Sequence, residues 1–155
     1  MPQKELKTIL KEHNFLNVAT CDLENVPNIA PKLLLKVENN IIYLCDYVIG
    51  RTFRNIKINP KISLGFMDLE NLVGYQFNGT VETIDSGIVY ERMLDELSKK
   101  EIELSVQRII EGVDKGKKHN TFEMEISQTV VILKVQVDEI VEINANGQLR
   151  RERLQ

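Results

Sequence analysis

The sequence predicts a mainly β fold, a small antiparallel barrel with helices added at fixed places, and three observations carry that prediction. Branched and aromatic residues recur with a period of two through most of residues 15–84 and again through 129–143, the pattern of strands that lay one face on a core. Helical spacing is confined to stretches near residues 2–13, 51–58 and 85–115. The chain has 155 residues, enough for one domain whose core needs neither disulfide nor metal, so residues 1–155 are read as a single domain.

Pro2 opens the first helix, over residues 2–13, with Leu6, Ile9, Leu10 and His13 at i, i+3, i+4 and i+7; proline fits a first helical turn because its missing N–H has no partner there. His13 falls at the edge of that stripe and reads as a partly buried structural residue. Phe15 to Cys21 is the first strand, and a turn at Asp22 to Asn25 leads into a second over Asn28 to Val37. Asn39-Asn40 is a hairpin turn, since asparagine tolerates positive φ, and Ile41 to Cys45 follows as the third strand. A short helix over Arg51 to Ile58 ends at Asn59-Pro60, because the residue before proline is pushed out of the α region. Lys61 to Met67 and Tyr75 to Ile84 are the fourth and fifth strands. Within the fifth, Asn78-Gly79 marks a bulge or a close backbone approach rather than a turn.

The helical region at 86–115 reads as two helices, because Ser98-Lys99-Lys100-Glu101 has the form of a capping box at the start of the second. Met93 lies on its apolar stripe and is assigned to the core. Thr121 to Ile126 and Thr129 to Ile143 then close the barrel, and residues 144–155 form a C-terminal tail.

Composition excludes several function classes. Twenty Lys+Arg against 23 Asp+Glu give a net charge of −3 with no basic block, so no nucleic-acid partner is expected. The longest apolar run is Ile41 to Cys45, far short of the roughly 20 residues of a membrane span, and no secretory signal opens the chain. The expected location is the cytoplasm, where Cys21 and Cys45 remain thiols on separate strands. There is no Walker loop, no G-x-G-x-x-G and no metal-ligand spacing among the two histidines and two cysteines.

One segment does point to chemistry. Gly50-Arg51-Thr52-Phe53-Arg54-Asn55 joins the third strand to a helix start, where glycine allows the turn, Arg51 offers a planar fork of donors, Thr52 a hydroxyl, and the helix end free N–H groups with partial positive charge. Together these suit a phosphate monoester, with both side chains expected at the surface. Alone, the segment reads at least as well as a helix start capped by Thr52 with Arg51 in solvent. Tyr47 and Tyr75 either stack on a flat ligand or fill the barrel wall, the wall being favoured.

The order Val18-Ala19-Thr20, then Pro27-Asn28-Ile29-Ala30-Pro31-Lys32, then Tyr43-Leu44, Arg51-Thr52-x-x-Asn55-x-x-x-Asn59-Pro60-Lys61-Ile62-Ser63-Leu64 and Asn78-Gly79-Thr80-Val81-Glu82 resembles the pyridoxamine 5′-phosphate oxidase-like, FMN-binding split-barrel family. The resemblance implies a six-stranded antiparallel Greek-key split barrel that forms a homodimer with a flavin at each end of the interface. It places Arg51 and Thr52 on the FMN phosphate, Pro31, Lys32 and Leu33 beside the flavin ring and ribityl chain, and Asn55 where it helps fix the phosphate loop. Lys36 matches a lysine that contacts substrate phosphate in the true oxidases. Their Gln on the fifth strand is replaced at the matching position by Gly74, and this chain has no Trp, so vitamin B6 oxidation itself is not implied. The implied activity is that of an FMN-dependent oxidoreductase with NADH or NADPH as candidate donor and no catalytic side chain, since the flavin carries the chemistry. The alternatives are a non-catalytic flavin- or haem-binding carrier or sensor, a deazaflavin-dependent reductase, and a barrel that has lost its cofactor and serves as a dimeric interaction domain.

Overall fold

The computed structural model describes residues 5–47, 49–114 and 130–155. In chain order the elements are α1 (Leu6–Ile9), β1 (Phe15–Cys21), β2 (Pro27–Glu38), β3 (Ile41–Asp46), α2 (Arg51–Ile58), β4 (Lys61–Asp68), β5 (Val73–Ile84), α3 (Ile88–Asp114), β6 (Val131–Ile143) and β7 (Leu149–Arg153). The expected strands through residue 84 and the helix at Arg51 lie within two residues of these bounds. All pairings are antiparallel.

The sheet order is β3-β2-β1-β4-β5-β6-β7, and a further pairing of β3 with β6 closes six strands into a barrel. After β3 the chain crosses through α2 to β4, which pairs with β1, so the connectivity is that of a Greek key. Asn39 supplies the positive φ of 52° that the β2–β3 hairpin needs. Between Asn78 and Gly79 the β5–β6 register shifts, and a Cβ on Gly79 would collide with the Gln136 carbonyl oxygen. The close approach there is strand to strand.

Alternation sorts the apolar side chains into two clusters. Leu16, Val18, Leu34, Leu44, Leu64 and Phe77 are among those filling the barrel. Residues of opposite parity, Leu33, Leu35, Tyr43 and Cys45, leave the barrel and pack with Met93 and Leu97 beneath α3. Tyr75 joins Phe66 and Phe77 in a stack of rings, with centroids 5.2 and 6.3 Å away, and His13 lies 4.0 Å from the Phe66 ring. Tyr75 therefore belongs to the wall.

Three expectations are corrected. Within the described part of residues 2–13 only Leu6–Ile9 is α-helical. Leu6 and Leu10 are already buried, and the chain turns through His13 to enter β1. In place of the two helices expected at 86–115 stands one continuous helix, Ile88–Asp114: Ser98 sits exposed in mid-helix while Met93, Leu97 and Leu104 carry the packed stripe through the supposed junction. Burial of that stripe outweighs a local cap. The tail contains a strand, β7, paired with β6 from Ile143↔Leu149 to Glu139↔Arg153. Asn146-Gly147, with Gly147 at φ +81°, is the turn signal that marks it. The strand expected at Thr121 to Ile126 lies outside the described residues.

Candidate functional site

The site is built where α2 meets the barrel end. Thr52, Asn55 and Ile56, spaced i, i+3, i+4, are the buried face of α2, and a single helical face of this width is what a capping helix turns toward a core. Because two of the three are polar, they need partners. Asn28 Nδ2 donates to Thr52 Oγ1 at 3.1 Å, and Asn55 Nδ2 donates to Thr20 Oγ1 at 3.1 Å. Thr20 and Asn28 face each other in the β1–β2 ladder, so one rung of the barrel supplies both contacts. Asn59 Nδ2 adds a bond of 3.2 Å to the Cys21 carbonyl.

Arg51 begins the helix, exposed, after Gly50, and no side chain caps the first turn. The leading N–H groups of a helix have no acceptor inside it, and here no cap residue occupies them. Thr52 corrects the expectation of a surface position: it is 3% exposed, because the second residue of α2 shares a face with Asn55 and Ile56. Its Oγ1 accepts the Asn28 proton, and its own hydroxyl proton has no acceptor among the described residues.

Strand alternation separates the three residues of β2. Pro31 is exposed and lies on the outer face with Ile29, while Leu33, on that same face, is buried under α3. Lys32 turns the other way, toward the barrel mouth, where Nζ lies 2.6 Å from Asp46 Oδ1 with the two side chains 11% and 1% exposed. Removing one member of such a pair leaves a buried charge, at about 3–5 kcal/mol. Asn55 is buried against β1 as described. Lys36 is not brought to this end of the strand: it lies eight residues beyond Asn28, roughly 26 Å along an extended strand, and faces Glu38 and Glu96 at 3.4 and 3.7 Å. It borders an open groove of about 980 Å³ that includes none of the other site residues named above.

Next to Leu33 is a smaller, mainly apolar cavity of about 270 Å³, with Phe15, Tyr47 and Leu104 in its wall and Glu101 and Arg108 at its polar side. The Tyr47 hydroxyl donates to Glu101 Oε1 at 2.8 Å. Burial first, and then the Glu101 bond, push the Tyr47 phenol far above its ordinary value. Burial, together with the neighbouring Asp46, pushes the Cys45 thiol up to about 12. Both groups stay protonated near neutrality, so neither supplies a phenolate or thiolate as base or nucleophile there. Three of the residues that shape the site carry no role in the sequence reading, Thr20 and Asn28 on expected strands and Asp46 just beyond the third; at parity with Val18, Leu34 and Leu44 they occupy inward positions, which is the signal that could have found them.

The sequence matches the family described as Pyridoxamine 5'-phosphate oxidase over residues 2–144. Uncharacterized protein MJ0282 of Methanocaldococcus jannaschii is 31% identical over 91 residues, 57% of this chain and 60% of that one. The chain thus spans about 60% of the length of this curated relative. Among solved structures, a Clostridium acetobutylicum protein related to general stress protein 26, of the pyridoxinephosphate oxidase family, superposes with a TM-score of 0.70 at 15% identity, over 96% of this chain and 91% of that one. A heme binding protein from Mycobacterium smegmatis gives 0.65 at 14% identity, over 99% and 59%. An F420 reductase gives 0.59 at 16%, over 90% and 98%. At these identities the superpositions establish the fold alone, and the family follows from the match over nearly the whole sequence: this chain belongs to the pyridoxamine 5′-phosphate oxidase-like family.

Proposed function

We propose that the protein is an FMN-binding flavoprotein, an oxidoreductase that works as a homodimer in the cytoplasm and takes electrons from NADH or NADPH. The observation that carries this reading is the α2 start, where exposed Arg51, an uncapped first turn and a buried hydroxyl proton without an acceptor among the described residues follow one another. All three are donors, and a phosphate is a ligand made only of acceptors. Arg51, Thr52 and the first N–H groups of α2 would hold it. Pro31 and Leu33 would lie beside the ring, Lys32 would brace their strand from behind through Asp46, and Asn55 would fasten the helix to β1. Lys36, three residues beyond Leu33 on β2, lies outside this phosphate cradle.

FMN, when bound, supplies hydride or electron transfer. The protein supplies orientation and exclusion of water, which agrees with a site whose thiol and phenol are held protonated. Ile29 is 69% and Phe15 54% exposed on the outer faces of β2 and β1. A flat ligand on that surface would be covered on one side only, and a second copy of the chain would cover the other, since binding sites bury most of a ligand.

Titration of the purified protein with FMN and with riboflavin tests the reading. FMN should bind more tightly, and Arg51→Ala should weaken FMN by about 10- to 10²-fold while leaving riboflavin nearly unchanged, the effect of one charge-assisted bond to phosphate. Bleaching of the flavin bands by NADH or NADPH would identify the enzyme. Flavin that binds but stays oxidised would favour a carrier or sensor, and saturable binding of haem or a deazaflavin with none of FMN would replace the cofactor. Equal loss of FMN and riboflavin in Arg51→Ala would move the phosphate elsewhere.

A further inference from the structure

We propose that Asn28 is a positioning residue that holds the Thr52 hydroxyl in its donor orientation toward the ligand phosphate. This rests on the flavin reading above and concerns a residue on β2 with no place in it so far. The geometry is a relay through one hydroxyl. Asn28 Nδ2 gives a proton to Thr52 Oγ1 at 3.1 Å. A hydroxyl that accepts one hydrogen bond places its own proton in another direction, and no acceptor for that proton occurs among the described residues. Thr52 is 3% exposed, so bulk water does not satisfy the proton freely, and leaving it unpaired carries a cost. The uncapped first turn of α2 and exposed Arg51 border the same side chain. An oxygen of an anionic ligand at the helix start completes the set.

The partner's identity matters because an amide donates where a carboxylate can only accept. With an acceptor at position 28 the hydroxyl would turn inward and be withdrawn from the ligand. Asn28 is itself held in register by the β1–β2 ladder opposite Thr20, whose hydroxyl oxygen accepts in the same sense from Asn55. The backbone that carries the donor at 28 is thus fixed by the same barrel rung that carries Thr20.

The test compares dissociation constants of FMN and riboflavin for the full chain carrying Asn28→Leu, Asn28→Asp, Thr52→Val, or Asn28→Leu with Thr52→Val. Asn28→Leu should reduce the preference for FMN over riboflavin about tenfold, the loss of one hydrogen bond to a charged group. Asn28→Asp, nearly the same shape, should reduce it at least as far and serves if Leu prevents folding. The double variant should lose no more preference than Thr52→Val alone, because the two residues act as one unit. A purely structural role would weaken both flavins together and lower the melting temperature in parallel, which would overturn the proposal, as would an unchanged preference in Asn28→Leu or losses that multiply in the double variant. Loss of preference in Arg51→Ala without loss in either Asn28 variant would remove this inference and leave the flavin reading standing. A wild-type protein without preference for FMN would remove both.

Discussion

The two longer helices of this protein are anchored in opposite ways. α2 has 8 residues, yet Thr52, Asn55 and Ile56 are buried and its polar side chains are tied to β1 and β2 by defined hydrogen bonds. α3 has 27 residues, and its first half is fixed by Met93 and Leu97 in the outer cluster, by Lys100 to Asn14 and by Glu101 to Tyr47. Beyond that point Ile102, Ile109 and Val113 stand 60–73% exposed. Length therefore does not measure attachment: a short helix that caps a barrel end is positioned by a few buried polar contacts, while the outer half of a long one, among the described residues, packs mainly through Leu104. A ligand site needs the first kind of support, because loosely held donors lose orientation.

Variants can break or sharpen this contrast. The largest effect is expected at the inner half of α3, where Met93 is fully buried. Met93→Ala should lower stability by about 2–5 kcal/mol in urea unfolding through lost burial and the cavity left behind; a loss below about 1 kcal/mol would mean that α3 lies loosely along its whole length. Asn55→Ala should cost about 1–3 kcal/mol, since it strips Thr20 of its donor in a buried setting, and should also weaken FMN. If stability falls while FMN affinity holds, the fastening of α2 does not govern the ligand site. The smallest effect is expected at Ile109→Ser, within about 0.5 kcal/mol as for a surface substitution. A much larger loss, or a change of molecular mass in light scattering, would show that the outer half of α3 is covered in solution and would erase the contrast.

Much of the barrel was legible before the structure. Period-two alternation places the first five strands, the Asn-Asn turn places the β2–β3 hairpin, and Asn59-Pro60 stops α2 where the structure stops it. These are properties of neighbouring residues, set by backbone sterics and by which side of a pleat each residue occupies. The capping-box sequence at Ser98 misled for the complementary reason, because a local preference of about 1 kcal/mol competes with burial of a stripe that runs through it.

The sequence by itself determined the strand faces, the helix start at Arg51 and the donor types gathered there. Tertiary structure alone decided that Thr52 meets Asn28, that Lys32 meets Asp46, and that Lys36 meets Glu96. Those outcomes depend on which residues barrel closure and strand register bring opposite one another. Partners 14 and 24 positions apart are chosen by the whole sheet, and no window of neighbouring residues contains both members of the pair.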